Sequence, residues 1–169
     1  MTESTDSTAD RQRKLFDMIK DVKFAMYTTH KPQGHLHSRP MTTQNKSLDD
    51  DCLWFFMSRS GAPLAESEGD HQVNVSYANP SSDTYVSVSG VARLVEDMAK
   101  KQALWNKASQ AWFKGGVEDP DLALVQVRIE HADYWDVKEN KLVQLYKMAE
   151  AALTGKTPQL GEHGHIRPH

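Results

Sequence analysis

The feature that most constrains the fold is a series of short segments in which apolar and polar residues alternate. Residues 84–95 show it most clearly, because one face of the predicted strand carries Val86, Val88, Ala92 and Leu94. Such alternation is typical of a β-strand with one buried face. A doubly wound parallel sheet would need a helix after nearly every strand, and that pattern is absent. The sequence therefore predicts an antiparallel sheet.

The complete pattern predicts a mainly β fold with flanking helices, of the α+β class. The strands are predicted at 24–30, 35–44, 52–58, 72–78, 84–95 and 122–137, and the helices at 10–23, 62–70, 97–113 and 142–153. Meander spacing of this kind favours a six-stranded antiparallel barrel with peripheral helices. Residues 1–9 are polar and predicted to be disordered, residues 10–154 form one domain, and residues 155–169 are predicted to be a flexible tail.

Charge and composition exclude several classes of function. The net charge is −3 and the sequence pI is about 6.2, so no basic excess favours nucleic acid. The longest apolar run, 53–57, is far too short to span a membrane, and the polar N-terminus does not resemble a signal peptide. With Cys52 as the single cysteine, no intramolecular disulfide can form. We expect a cytoplasmic protein with no nucleic-acid or membrane partner.

Two segments carry residues suited to binding an anion. Arg39 precedes a strand proline, Pro40, and could present its guanidinium to a phosphate. Ser58 ends a strand and is followed by 59–61, which offer backbone donors before a predicted helix. The alternatives are a surface ion pair for the arginine and an ordinary strand-to-helix connection for the serine. His35 and His37 share a strand face, but no third ligand is placed beside them, so no metal site is predicted.

Taken together, the ordered motifs resemble a known family. They are Arg39-Pro-Met, Phe55-Phe-Met-Ser58, Tyr85-Val-Ser-Val-Ser-Gly90, Leu104-Trp-Asn106, Trp112-Phe113, Gly115-Gly116 and Tyr134-Trp-Asp136. This set is similar to the general stress protein 26 branch of the pyridoxamine 5′-phosphate oxidase-like FMN-binding split barrels, over roughly residues 11–146. No single motif is specific to this family, but the order of the complete set is.

The resemblance implies a six-stranded antiparallel split barrel that binds FMN as a homodimer. It implies that the Arg39 segment meets the flavin and its phosphate, that Met57 and Ser58 end the next flavin-contacting strand, and that two aromatic residues border the ring. The cofactor-binding residues it implies are Arg39, Pro40, Met41, Met57, Ser58, Tyr85, Trp112 and Trp135.

The chain also departs from the oxidases of that family at positions where they carry cations. It has Gln44, Pro63, Leu64 and Leu145 there, and Lys141-Leu-Val143 replaces the Arg-x-His substrate motif. Each charge-assisted hydrogen bond is worth roughly 1.5–3 kcal/mol, so weak FMN binding is expected. Oxidation of pyridoxamine phosphate itself is not expected.

Three hypotheses for function follow. The first is a flavin-dependent oxidoreductase with a small-molecule redox partner and no assignable catalytic residue. The second is a non-catalytic protein that binds or buffers flavin. The third keeps the barrel but gives it a deazaflavin or a haem. The absorbance spectrum of the purified protein would distinguish a flavin from a haem.

Overall fold

The computed structural model describes residues 7–61, 71–137, 141–158 and 160–166. Its strands are β1 (Ala25–His30), β2 (Leu36–Met41), β3 (Cys52–Ser58), β4 (His71–Asn79), β5 (Thr84–Val95), β6 (Leu122–Asp136) and β7 (Glu162–Ile166). Its α-helices are α1 (Thr8–Ile19), α2 (Met98–Leu104) and α3 (Lys141–Thr154). The helix predicted at 62–70 lies outside the described residues, as do residues 1–6 of the predicted disordered N-terminus.

The first helix begins two residues earlier than predicted. The Ser7 hydroxyl accepts a hydrogen bond from the Asp10 backbone N–H at 3.2 Å, which satisfies one of the free donors of the first turn. Leu15 and Ile19 lie on the buried face of α1. The helix is therefore held mainly by its apolar face against the sheet.

All described strand pairs are antiparallel, in the order β2-β1-β4-β5-β6-β3, and β7 also pairs with β6. This confirms the mainly antiparallel α+β fold, with seven strands instead of six. The additional strand, β7, lies within the segment 155–169 that was predicted to be a flexible tail. One edge of β6 pairs with two strands in succession. Residues 122–128 pair with β3, and Ala132–Asp136 pair with β7. Backbone pairing along β6 accounts for a strand that the residue pattern does not reveal.

The two ends of the sheet approach each other just after β2. Thr43 forms an isolated antiparallel bridge with Phe55, and the Gln44 N–H donates to the Trp54 carbonyl at 2.8 Å. In the described part of the chain, no continuous ladder joins β2 to β3. The sheet curves into a barrel that stays open along this line, as the split-barrel prediction requires.

The barrel core and a second apolar cluster use opposite faces of β3. Leu53, Phe55 and Met57 point into the barrel, where the Phe55 ring meets Tyr27 edge to face with centroids 5.3 Å apart. Trp54 and Phe56 belong to the outer cluster beneath α2. The prediction that this strand is covered on both faces is confirmed.

The outer cluster also contains Cys52, the only cysteine of the chain. Burial raises the pKa of its thiol to about 11, and the nearby Asp50 carboxylate acts in the same direction. The thiol therefore stays protonated near neutral pH.

A bulge bends β6 beside Gly90 of β5. The register passes from Ser89 paired with His131 to Gly90 paired with Ile129, which leaves Glu130 as the extra residue. A Cβ atom on Gly90 would lie 2.2 Å from the Arg128 carbonyl oxygen. Only glycine permits this approach of the two backbones.

The helix predicted at 97–113 ends early, at Leu104. Trp105 adopts φ −59° and ψ 139°, which is not helical, and a short 3-10 turn follows at Ser109–Ala111. The Asn106 side chain accepts from the Ser109 N–H at 3.1 Å, which favours the turn over a continued helix. The break brings the segment containing Trp112 back over the end of β3.

Candidate functional site

A cavity of about 400 Å³ lies between the end of β2 and the end of β3. Apolar side chains form most of its wall, and the polar groups are few, which is typical of a small-molecule site. The lining residues are Phe24, Pro40, Met41, Thr42, Gln44, Phe56, Met57, Ser58, Ser109, Trp112, Phe113 and Asp121.

The position of the cavity follows from strand register. The Thr43–Phe55 bridge, extended backwards along β2, would place Met41 opposite Met57 and Pro40 opposite Ser58. Pro40 has no backbone N–H to donate to a ladder. The two strands separate from this point, and the cavity occupies the opening between them.

Five of the eight predicted site residues line this cavity. They are Pro40, Met41, Met57, Ser58 and Trp112. Trp112 is 82% exposed, whereas its neighbour Phe113 is buried in the outer cluster. An indole this exposed at a cavity wall is available to contact a planar ligand.

Arg39 does not line the cavity. Its Nη2 lies 3.3 Å from Thr29 Oγ1, to which it donates, and 2.6 Å from His37 Nδ1. His37 is paired with Thr29 across the β1–β2 ladder, so these two contacts hold the Arg39 side chain beside that pair. Its role as a phosphate ligand stays a prediction.

Tyr85 and Trp135 lie in a neighbouring groove of about 270 Å³. They are directly paired across β5 and β6 and are 42% and 44% exposed. The Trp135 ring stacks on His163 of β7, with centroids 5.0 Å apart. Phe24 lines both the groove and the cavity, so the two are adjacent.

Asp121 is the main site residue that the sequence analysis missed. Its Oδ2 accepts a hydrogen bond from the Ser58 hydroxyl at 2.5 Å, and its Oδ1 accepts one from the Ser60 N–H at 2.9 Å. The Ser58 hydroxyl, and after it the Ser60 N–H, lower the pKa of the Asp121 carboxyl. Asp121 is therefore ionised at neutral pH and faces the cavity as a carboxylate.

This arrangement predicts a pH effect on stability. Because the folded pKa of Asp121 lies below the ordinary value of 3.8, its contribution is complete above that value and is lost as pH falls through the folded pKa. We expect the difference in free energy of unfolding between wild type and Asp121→Asn to be largest above about pH 5 and to shrink below about pH 4. Urea unfolding at a series of pH values measures it. A difference that stays constant down to pH 3 would contradict the role of the carboxylate.

The cations that the sequence lacks, relative to the oxidases of the family, are also absent from the described lining of the cavity. Within the described lining, Asp121 is the one formally charged side chain and no lysine or arginine is present. Gln44 lines the cavity, whereas Leu145 of α3 is exposed outside it. Positions 63 and 64 lie outside the described residues, and residues 62–70 contain no lysine or arginine in the sequence.

The family model described as pyridoxamine 5′-phosphate oxidase-like matches residues 10–159. The chain belongs to this family. The predicted resemblance to its general stress protein 26 branch is confirmed. The match covers the barrel strands β1–β6, both walls of the cavity and helix α3.

Three proteins from different organisms illustrate what this member of the pyridoxamine 5′-phosphate oxidase-like family is similar to. Protein bli-3 of Neurospora crassa is 29% identical over 154 residues, which is 84% of this chain and 72% of that protein. A crystal structure from Jannaschia sp. CCS1, assigned to general stress protein 26, superposes with a TM-score of 0.75 and 25% identity, covering 94% and 99% of the two chains. The general stress FMN/FAD binding protein of Xanthomonas citri gives a TM-score of 0.67 and 31% identity, covering 77% and 90%.

None of the helices in the described residues has the length and apolar character needed to cross a membrane. The same residues contain no group of three or more His, Cys, Asp or Glu side chains placed to hold a metal ion.

Proposed function

We propose that this chain binds a flavin, FMN by family resemblance, in the cavity between β2 and β3, and acts as a flavin-dependent oxidoreductase on a small molecule. The observation that carries the proposal is the convergence of Pro40, Met41, Met57 and Ser58 on one cavity, from the ends of two consecutive strands that no continuous ladder joins. The name of the Xanthomonas citri relative, an FMN/FAD binding protein, supports a flavin.

The walls of the cavity suit the flavin ring better than the phosphate. Met41 and Trp112 would contact the faces of the ring, and Thr42, Gln44 and the backbone near Met57 offer polar groups to its edge. A bound flavin supplies the electron transfer that protein side chains cannot perform. The chain's own residues would bind and orient it and keep water from its faces.

We also propose that the functional form is a homodimer. Phe24, Met26, Tyr85 and Trp135 leave a partly exposed apolar groove on the outer face of the sheet, next to the cavity. Exposed apolar surface of this kind marks interaction sites, and the family resemblance implies a second copy as its partner. Sedimentation equilibrium of wild type and Trp135→Glu tests this: a dimer that the variant converts to monomer is expected, and a monomeric wild type would contradict it.

The absence of cations from the described lining also favours a second candidate, a non-catalytic flavin-binding protein. The absorbance spectrum of the purified protein, followed by titration with FMN, tests for a flavin; a Soret band would indicate haem instead. Turnover with a reduced nicotinamide and an electron acceptor then distinguishes the oxidoreductase from the binding protein. Flavin binding with no turnover would support the second candidate.

Removal of the exposed indole at the cavity should weaken flavin binding without affecting the fold. Because Trp112 is 82% exposed, we expect Trp112→Ala to change the free energy of unfolding by less than about 0.5 kcal/mol. Loss of ring contact should weaken flavin affinity about tenfold, measured by fluorescence titration. Tyr146→Ala, at an exposed aromatic of α3 outside the cavity lining, is the matched control and should leave affinity unchanged. Equal affinity of Trp112→Ala and wild type would place the flavin elsewhere.

A further inference from the structure

The hydrogen-bond donors at the end of β3 already contact a negatively charged group, the carboxylate of Asp121 in the same chain. The Ser58 hydroxyl and the Ser60 N–H both donate to the Asp121 carboxylate, at 2.5 Å and 2.9 Å. The Arg59 N–H donates to the Asp121 backbone carbonyl at 2.8 Å, which fixes the position of this residue beside the loop. A phosphate placed at Ser58 would have to displace these contacts.

The nearby arginines make contacts of their own. Arg59 Nη2 is 2.6 Å from a Glu96 carboxylate oxygen, and the side chain of Arg39 is bonded to Thr29 and His37. A phosphate monoester carries between one and two negative charges at neutral pH, and it would meet the Asp121 carboxylate with no cation of the described lining between them. Like charges close together disfavour the bound state.

A ligand hydroxyl, unlike a phosphate, would be attracted to the Asp121 carboxylate. A hydroxyl donates a hydrogen bond, and an ionised carboxylate is a strong acceptor with room for more than the two donors it already has. The ribityl chain of a flavin carries such hydroxyls. The end of the cavity at Asp121 therefore suits a polyol better than a phosphate.

We propose that Asp121 sets the ligand specificity of the cavity, by opposing the phosphate of FMN and so reducing the advantage of FMN over the uncharged riboflavin. This inference rests on the proposed function, because it assumes that a flavin occupies the cavity. It makes Asp121 a specificity-determining residue: FMN binds against a built-in negative charge, and riboflavin does not.

The test compares two ligands that differ only in the phosphate. Dissociation constants for FMN and riboflavin are measured by fluorescence titration with wild type, Asp121→Asn and the control Glu118→Gln. The control removes the same charge from an exposed residue that does not line the cavity. We expect Asp121→Asn to tighten FMN binding about tenfold and to leave riboflavin binding within about twofold of wild type. Glu118→Gln should leave the ratio of the two constants unchanged.

A second measurement does not depend on the fold of the variant. Salt screens repulsion between charges, so raising the ionic strength should tighten FMN binding to the wild type and leave riboflavin binding unchanged. An unchanged FMN-to-riboflavin ratio in Asp121→Asn, or FMN binding that weakens with salt, would overturn the inference while leaving flavin binding intact. Failure of both flavins to bind wild type and variant would overturn the proposed function, and the inference with it.

Discussion

Phe55→Ala is expected to lower the free energy of unfolding by about 4 kcal/mol, because it opens a cavity at the centre of the barrel. The Phe55 side chain is fully buried and its ring packs edge to face against Tyr27. Its backbone also forms the bridge to Thr43 that brings the two ends of the sheet together. Chemical denaturation followed by tryptophan fluorescence measures the change.

Phe55→Leu provides the matched comparison, because it keeps most of the volume and should cost less than about 1.5 kcal/mol. The same loss in both variants would show that the aromatic contact, and not the volume, stabilises the barrel. A loss below 1 kcal/mol for Phe55→Ala would contradict the packing described for this position.

Gly90→Ala is expected to destabilise the fold by about 3 kcal/mol, because the new methyl group would collide with backbone atoms. The Arg128 carbonyl oxygen would lie 2.2 Å from the added Cβ, and a main-chain atom within a paired strand cannot turn away as a side chain can. Arg93→Ala, at an exposed position of the same strand, should change stability by less than about 0.5 kcal/mol. Thermal unfolding of both variants measures the difference. Equal stability of Gly90→Ala and wild type would mean that β5 and β6 separate easily at the bulge.

Most of the sheet could be predicted from the sequence because its strands carry their own pattern. The bounds predicted for β3 and β5 agree with the structure, since apolar residues mark each strand and polar turns end it. The strand β7 could not be predicted, because Glu162–Ile166 contains one large apolar residue and shows no alternation. Pairing with β6, a property of the tertiary structure, makes it a strand.

The helix after Asp97 was predicted to be longer than it is in the structure. Residues 97–113 contain good helix formers and end before two glycines, so local propensity favours one long helix. In the structure, packing of Trp105 against Phe56, with ring centroids 5.9 Å apart, accompanies the break after Leu104. Tertiary contacts outweigh propensity here, as they often do for a segment lying over an apolar cluster.

The predicted residues that line the candidate cavity are two pairs of strand neighbours and Trp112. Pro40 with Met41, and Met57 with Ser58, are neighbours in the sequence, and the motif order identified both pairs. Asp121 is 63 positions from Ser58, and its contact depends on the pairing of β3 with β6. A signal was available in retrospect, because Asp121 directly precedes the predicted strand at 122–137, where its side chain could turn towards the end of a neighbouring strand.

The position of β7 has a consequence for proteolysis and self-association. The Lys14 ammonium of α1 donates to Glu162 at 2.8 Å and to the Tyr134 hydroxyl at 2.7 Å, so contacts to the opposite end of the chain hold this strand in place. Cleavage before Glu162 would release the strand and leave the backbone of Ala132–Asp136 without its partner along that edge. An unpaired edge is a template for strands of other molecules. Trimmed molecules are therefore expected to associate through this edge of β6, which β7 covers before cleavage.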